Sequence, residues 1–191
     1  MKEIDFQLKD ELYVPMQRVC LLEAMAALLA DEVLKSNLEL TGDEREGLIQ
    51  IKRDEAEHYA LGVKVLNVLP KVNQRELSDM LREYTMEHQA RWAGPIGRIA
   101  RLHEDEGLVM HFMPIFTRVI RDIVPVEGDA FATAVENDEP RHHKWGADIL
   151  KRLTDNDEAR LRLVRQHRSA RGWPIEKIVR GFDKIYKELV A

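Results

Sequence analysis

The sequence predicts an all-α protein: four long helices packed side by side, a long crossover between the second and third, and a helical extension after the fourth. Three observations carry this expectation. Apolar residues recur at steps of three and four through four long segments, the spacing that lines one face of a helix. No stretch alternates apolar and polar residues as a half-buried strand would. The segments fall into two pairs, with a polar stretch from Lys71 to about Ala93 between the pairs.

The first segment, about 8–36, places Met16, Cys20, Glu23, Ala27, Ala30 and Leu34 on one face. The second, about 42–68, opens on Thr41-Gly-Asp-Glu, where Thr41 is the expected N-cap and Glu44 completes a capping box. Its inward face runs Leu48, Ile51, Glu55, His58, Gly62, Val65 and Leu69, and Pro70 ends it. A short helix near 73–88 is expected inside the crossover. The third segment, roughly 95–122, passes through Ile99, Leu102, Glu106, Val109, Met113, Phe116 and Ile120, with a bend expected at Pro114. A turn over 124–129 then leads to the fourth, about 129–154. Beyond Thr154-Asp-Asn-Asp, residues 157–190 read as two short helices divided by Gly172-Trp-Pro174. The expected organisation is a bundle over 1–155 and a basic helical appendage over 156–191, packed on it.

At 191 residues and 45% hydrophobic content, the chain is long enough to bury one sizeable core. No apolar run approaches the roughly 18–20 residues that cross a bilayer. The opening MKEIDFQLKDEL lacks the apolar centre of a secretory signal, so cytoplasm and no membrane association are expected. Cys20 is the only cysteine, which excludes an internal disulfide, a thiolate zinc site and a rubredoxin-type iron centre. The net charge of −5 divides into −11 over residues 1–140 and +6 over 141–191. The basic end is read as packing on the acidic body, with nucleic-acid binding not expected.

The chemistry lies in a repeated motif. Chance alone supplies about one Glu-x-x-His in a chain of this composition, so a match needs context. Here Asp54-Glu-Ala-Glu-His-Tyr-Ala-Leu-Gly62 and Asp138-Glu-Pro-Arg-His-His-Lys-Trp-Gly146 share D-E-x-x-H-x-x-x-G. A glutamate on an otherwise apolar helix face precedes each: Glu23 lies 32 residues before Glu55, and Glu106 lies 33 before Glu139. Residues three apart on a helix project to one side, so each motif offers a carboxylate and an imidazole to one point. Together Glu23, Glu55, His58, Glu106, Glu139 and His142 make four carboxylates and two imidazoles. Crowded in a core, those carboxylates would repel and shift toward protonation, a penalty that two divalent cations remove. Oxygen-rich ligation with imidazole suits iron or manganese. Asp54 and Asp138 fit acceptors for the free ring N–H of a ligand histidine, or else solvated helix surface. The glycines one turn after each histidine are expected to let helices approach closely.

Pro140 stands inside the second motif. The inward face runs Phe131, Val135, Glu139, His142, Gly146, Ile149 and Leu153 without losing phase, which predicts one helix bent at the proline. The rival is a helix that starts there, with Asp138 as its cap. Other residues compete for roles. Glu104 leaves the inward face that Glu106 keeps, and His143 should point sideways. His111 is read as a partly buried histidine, or else an extra ligand or proton carrier, and Tyr59 as core, or else a redox-active or hydrogen-bonding tyrosine. The group Met110, Phe112, Met113 and Phe116 is read as core that could also line an apolar pocket.

These residues resemble the ferritin-like di-iron carboxylate superfamily, which includes rubrerythrins, bacterioferritins and bacterial multicomponent monooxygenases. The order Glu23, Glu55-x-x-His58, Glu106, Glu139-x-x-His142 is similar to that family's ligand order, and Asp138-Glu-Pro-Arg-His142 to its D-E-x-R-H form. The match covers roughly residues 8–154. Peroxidase-type rubrerythrins carry an extra carboxylate where this chain has Val109, and commonly a four-cysteine rubredoxin domain that one cysteine cannot build.

The resemblance implies a ferritin-like four-helix bundle with two iron ions (manganese as the alternative), bridged by Glu55 and Glu139. The expected function is a non-haem di-iron oxidoreductase that activates dioxygen or peroxide to oxidise a small substrate. It would need a separate electron donor and would form a homo-oligomer, expected as a dimer. The alternative is a ferritin- or erythrin-like protein that oxidises iron or consumes peroxide with no organic substrate. A third reading is a metal-free bundle that binds a partner.

Overall fold

The computed structural model describes residues 6–70, 94–155 and 175–190, with the isolated positions 82, 158 and 162. The described residues include five helices: α1 (Phe6–Leu34), α2 (Gly42–Val68), α3 (Pro95–Ile123), α4 (Pro125–Thr154) and α5 (Ile175–Val190). The described residues contain no strand. The expected crossover helix near 73–88 and the first of the two tail helices fall outside the described residues.

Local chemistry explains where the helices begin. Thr41 caps α2: its hydroxyl accepts from the Glu44 N–H at 3.2 Å, while the Glu44 carboxylate accepts from the Thr41 N–H at 2.8 Å. That reciprocal pair is the box expected from the sequence. Gly94 precedes α3 with a φ of 95°, a left-handed conformation open to glycine, and Pro95 then supplies a preset first helical residue.

The connection between α3 and α4 corrects the sequence reading. Only Val124 stands between them, and α4 begins at Pro125, so residues 125–129 form the first turn of the helix. Proline is welcome at that position. The corner closes tightly because Gly128 is a glycine: a Cβ there would lie 2.6 Å from the Ile120 carbonyl oxygen.

α4 also runs unbroken through Pro140, so the rival reading, with the helix starting at that proline, is incorrect. Pro140 is exposed, and it leaves the carbonyl of Glu136 without its helical donor. Pro15 and Pro114 are likewise carried inside α1 and α3.

The expectation that no segment is apolar enough for a bilayer also needs correction. The stretch Leu8–Leu34 of α1 is long and apolar enough to cross a membrane, but 67% of its apolar window is buried within the protein. It is apolar because other helices surround it.

α1 packs on α2 and α3, and α4 packs on α2 and α3, so the four long helices form a closed ring, a helical bundle. The core inside the ring is divided into two apolar clusters. One joins Met16, Cys20, Val65, Phe116, Phe131 and Val135, where Phe116 meets Phe112 and Phe131 edge-on at 5.7 Å between centroids. The other joins Ala30, Val33, Leu48, Ile99, Leu102 and Ile149. Each fully buried side chain of this size contributes about 2 kcal/mol. The order in which helices pass the clusters sets their directions: α1 and α4 run from the first cluster to the second, α2 and α3 the opposite way. Every pair of neighbours around the ring is therefore antiparallel.

α5 lies within the segment read as an appendage, and it inserts Ile178, Phe182 and Ile185 into the first cluster. Phe182 meets Phe116 edge-on at 5.0 Å. Gly181 allows close approach to α1, since a Cβ there would sit 2.6 Å from Pro15 Cγ. At the edge, Lys184 meets Glu11 at 2.7 Å, a basic residue of the tail on the acidic body.

Candidate metal centre

Between the two apolar clusters lies a polar layer, to which each long helix contributes. Glu23 of α1 falls between Leu22 and Leu29, Glu55 and His58 of α2 between Ile51 and Val65, Glu106 of α3 between Leu102 and Phe112, and Glu139 and His142 of α4 between Val135 and Ile149. All six are buried. The structure brings together every residue singled out from the motif.

Their ligand atoms form two overlapping groups. Glu23, Glu55, His58 and Glu139 make one, and Glu55, Glu106, Glu139 and His142 the other, with the atoms of each group within 4.8 Å of one another. Glu55 and Glu139 belong to both. His58 Nδ1 lies 3.5 Å from carboxylate oxygens of both Glu23 and Glu139, and His142 Nδ1 lies 2.9 Å from Glu55 Oε1 and 4.0 Å from Glu106 Oε1. The rings of His58 and His142 are 6.1 Å apart.

These atoms are near one another without being hydrogen-bonded. Glu55 Oε1, His58 Nδ1, Glu139 Oε2 and His142 Nδ1 are all buried with no partner, even though His142 Nδ1 and Glu55 Oε1 are 2.9 Å apart. They lie close enough to bond but are not aligned to do so, and the ligand atoms of each group stay within 4.8 Å of one another. Buried polar atoms are nearly always satisfied, and each left alone costs roughly 1–3 kcal/mol. The donor set therefore fits a cation, since hard carboxylate oxygens and imidazole nitrogens are what a first-row divalent metal takes. The buried acidic and histidine groups could hold a metal ion.

The charges agree with this. Burial, reinforced by the charges of Glu139 and Glu23, pushes Glu55 well above the usual carboxylate range. Burial and the Glu23 charge push Glu139 up to about 7, against the pull of His58. Burial opposes the charged form of His58, but the carboxylates of Glu139 and Glu23 outweigh it and push its pKa up to about 11. Glu23 is held below its usual range because His58 more than offsets its burial. These directions favour protonated Glu55, Glu139 and His58 over a fully charged set.

Outside this inner group, the two aspartates answer the question that the motif left open. His142 donates from Nε2 to Asp54 at 3.0 Å, and His58 from Nε2 to Asp138 at 3.2 Å. Each aspartate thus serves the histidine of the other motif. Asp54 also accepts from Gln50 at 2.8 Å.

The glycines behave as expected. A Cβ on Gly62 would meet Cys20 Sγ at 2.7 Å, and one on Gly146 would meet His103 Cβ at 2.8 Å. Glu104 belongs to neither ligand group. His111 is exposed, so the reading as a partly buried histidine or extra ligand is corrected: it lies on the outer face of α3. Tyr59, Phe112, Met113 and Phe116 pack in or against the first apolar cluster. His143 does turn sideways, and its ring stacks on His103 at 4.3 Å, each Nδ1 donating to the other's backbone carbonyl. That clasp was missed in the sequence, because His103 and His143 are 40 residues apart and no motif spacing links them.

Comparison of the chain with protein-family models, with curated proteins and with solved structures finds no match. What the fold and site define is an all-helical protein with a buried carboxylate–histidine cluster, an arrangement compatible with a ferritin-like fold.

Proposed function

We propose that this protein is a ferritin-like, non-haem di-iron oxidoreductase that uses dioxygen or peroxide to oxidise a small substrate. The observation that carries the reading is the convergence of four buried, unpartnered ligand atoms in a layer between two apolar clusters. Glu23 and His58 would hold one ion, Glu106 and His142 the other, and Glu55 and Glu139 would be shared. When bound, the metal pair supplies the redox chemistry.

The chain's own residues do the rest. The six side chains hold their atoms in place on four helices before a metal arrives, so little reorganisation is needed on binding. The apolar clusters on both sides keep water from the layer, which strengthens every electrostatic contact within it. Asp54 and Asp138 hold the Nε2–H of His142 and His58, which leaves each Nδ1 turned inward as the ligand atom. Glu55 and Glu139, whose burial favours the protonated form, would give up those protons to serve as ligands. We place the protein in the cytoplasm as a homodimer served by a separate electron donor, the alternative metal being manganese.

The test is metal content followed by turnover. The purified chain is stripped, loaded anaerobically with iron(II), and analysed for iron; two ions per chain are expected. It is then mixed with dioxygen, with and without candidate small substrates. Iron oxidation that never couples to substrate would favour the alternative, a ferroxidase- or peroxidase-like protein without an organic substrate. Failure to retain iron would leave the partner-binding bundle.

A further inference from the structure

Among the exposed positions at which the two motifs differ, one carries opposite charges. The second has Arg141 where the first has Glu57, both exposed. Arg141 uses a single nitrogen, Nη2, to donate to Asp54 Oδ2 at 2.6 Å and to Asp138 Oδ1 at 2.8 Å. Those are the two aspartates that hold the two histidines: Asp54 Oδ2 accepts from His142 Nε2 and Asp138 Oδ2 from His58 Nε2. The result is one unbroken chain, His58–Asp138–Arg141–Asp54–His142, running along the outside of the cluster.

We propose that Arg141 is a single positioning residue for both halves of the metal centre, setting the orientation of His58 and His142 together through the two crossed aspartates. The inference rests on the metal reading above. The geometry carries it. An exposed ion pair contributes little by itself, but here one guanidinium ties two carboxylates from different helices, whose side chains are only 9% and 23% exposed. Each of those carboxylates aims one ring. Gln50 gives Asp54 a second donor, while among the described contacts Asp138 has Arg141 and His58 alone. With Arg141 gone, the carboxylates would separate, and both rings would lose the reference that points Nδ1 inward. Because the link crosses between halves, a change at this one surface residue reaches both ions.

The experiment compares the full-length wild type with R141Q and E57Q. Each is stripped of metal and titrated anaerobically with cobalt(II), whose visible bands report ligand geometry at each ion. R141Q removes the cation while leaving the apolar core untouched, and its folding is checked by circular dichroism. Supports of this kind usually govern metal affinity by about 10–100-fold. The expected result is that R141Q weakens both cobalt sites together by about tenfold, while E57Q leaves both within about twofold. Weakening of one site only, or of neither, would overturn the proposal. A second measurement needs no metal: the ring Nε2–H protons of His58 and His142 are followed by NMR in the stripped proteins. Their protection from exchange should fall together in R141Q, and either ring keeping it unchanged would also overturn the idea. Should the wild type bind no cobalt, the metal reading fails while the ring-proton comparison still decides the role of Arg141.

Discussion

The motif of α2 and the motif of α4 share their ligand-bearing letters and differ in their surroundings. In α2 the sequence between Glu55 and His58 is Ala-Glu, in α4 between Glu139 and His142 it is Pro-Arg. His58 faces Glu23 and Glu139 and is pushed up to about 11, whereas burial, with His58 and Arg141 nearby, holds His142 below its usual value despite Asp54. Equal motifs thus sit in unequal electrostatic surroundings. The lesson is that spacing selects which side chains meet, while the neighbours from other helices decide what charge each carries.

The largest effect should come from the residues common to both ligand groups. Glu55→Ala or Glu139→Ala should empty both half-sites, whereas Glu104→Ala should leave metal content unchanged, as elemental analysis after iron loading can read. If either shared glutamate can be removed with one ion retained at full occupancy, the bridging assignment is wrong.

Next comes pH. In the metal-free protein His58 has a raised folded pKa, so the stability it contributes is full below its unfolded value near 6.5 and is lost as pH rises toward about 11. Glu55 and Glu139 are raised acids, which also favour the folded state at low pH and lose that advantage as pH rises. His142, with a lowered value, works the other way: its unfolded form holds the proton longer, so it adds stability as pH rises through the unfolded value near 6.5 and stops contributing slope about a pH unit above it. Urea unfolding in the presence of chelator should therefore show stability falling between about pH 7.5 and 9, once the unfolded His142 has titrated, on the order of 1 kcal/mol per pH unit. With iron or cobalt bound the protons are displaced and the fall should flatten or reverse. A metal-free stability that rises over this window would contradict the protonated reading of Glu55, Glu139 and His58.

A smaller contrast separates the two equivalent glycines. Alanine at Gly62 would press on Cys20 Sγ and the flexible end of Met16, but alanine at Gly146 would meet His103 Cβ at 2.8 Å and its backbone Cα at 3.3 Å. Side-chain ends can move and a helix backbone cannot. Gly146→Ala should cost about 2–3 kcal/mol and Gly62→Ala about 1 kcal/mol, each net of the helix preference for alanine, measured by chemical denaturation.

The smallest expected effect is at Pro140. Because the helix is continuous there, Pro140→Ala restores an N–H to the Glu136 carbonyl and should raise stability by about 1 kcal/mol, less than the full interior penalty because the site faces water. A loss of stability in that variant would mean that the chain has adapted to the proline more closely than the exposed position suggests.

Much of this protein was legible in its residues. The repeated D-E-x-x-H-x-x-x-G, the two upstream glutamates and the unbroken phase through Pro140 placed six side chains on inward helix faces, because helical periodicity is a local property that the chain carries along its length. The capping box at Thr41 and Glu44 was equally local. What only the tertiary structure decided involves residues brought together from different helices. Periodicity cannot show that Asp54 holds His142 rather than His58, that one arginine spans both aspartates, that His103 clasps His143, or that Phe182 of the tail enters the main core. Those pairings depend on how far one helix is rotated and shifted against another. That offset is set by the summed packing of whole faces, and no stretch of sequence contains it.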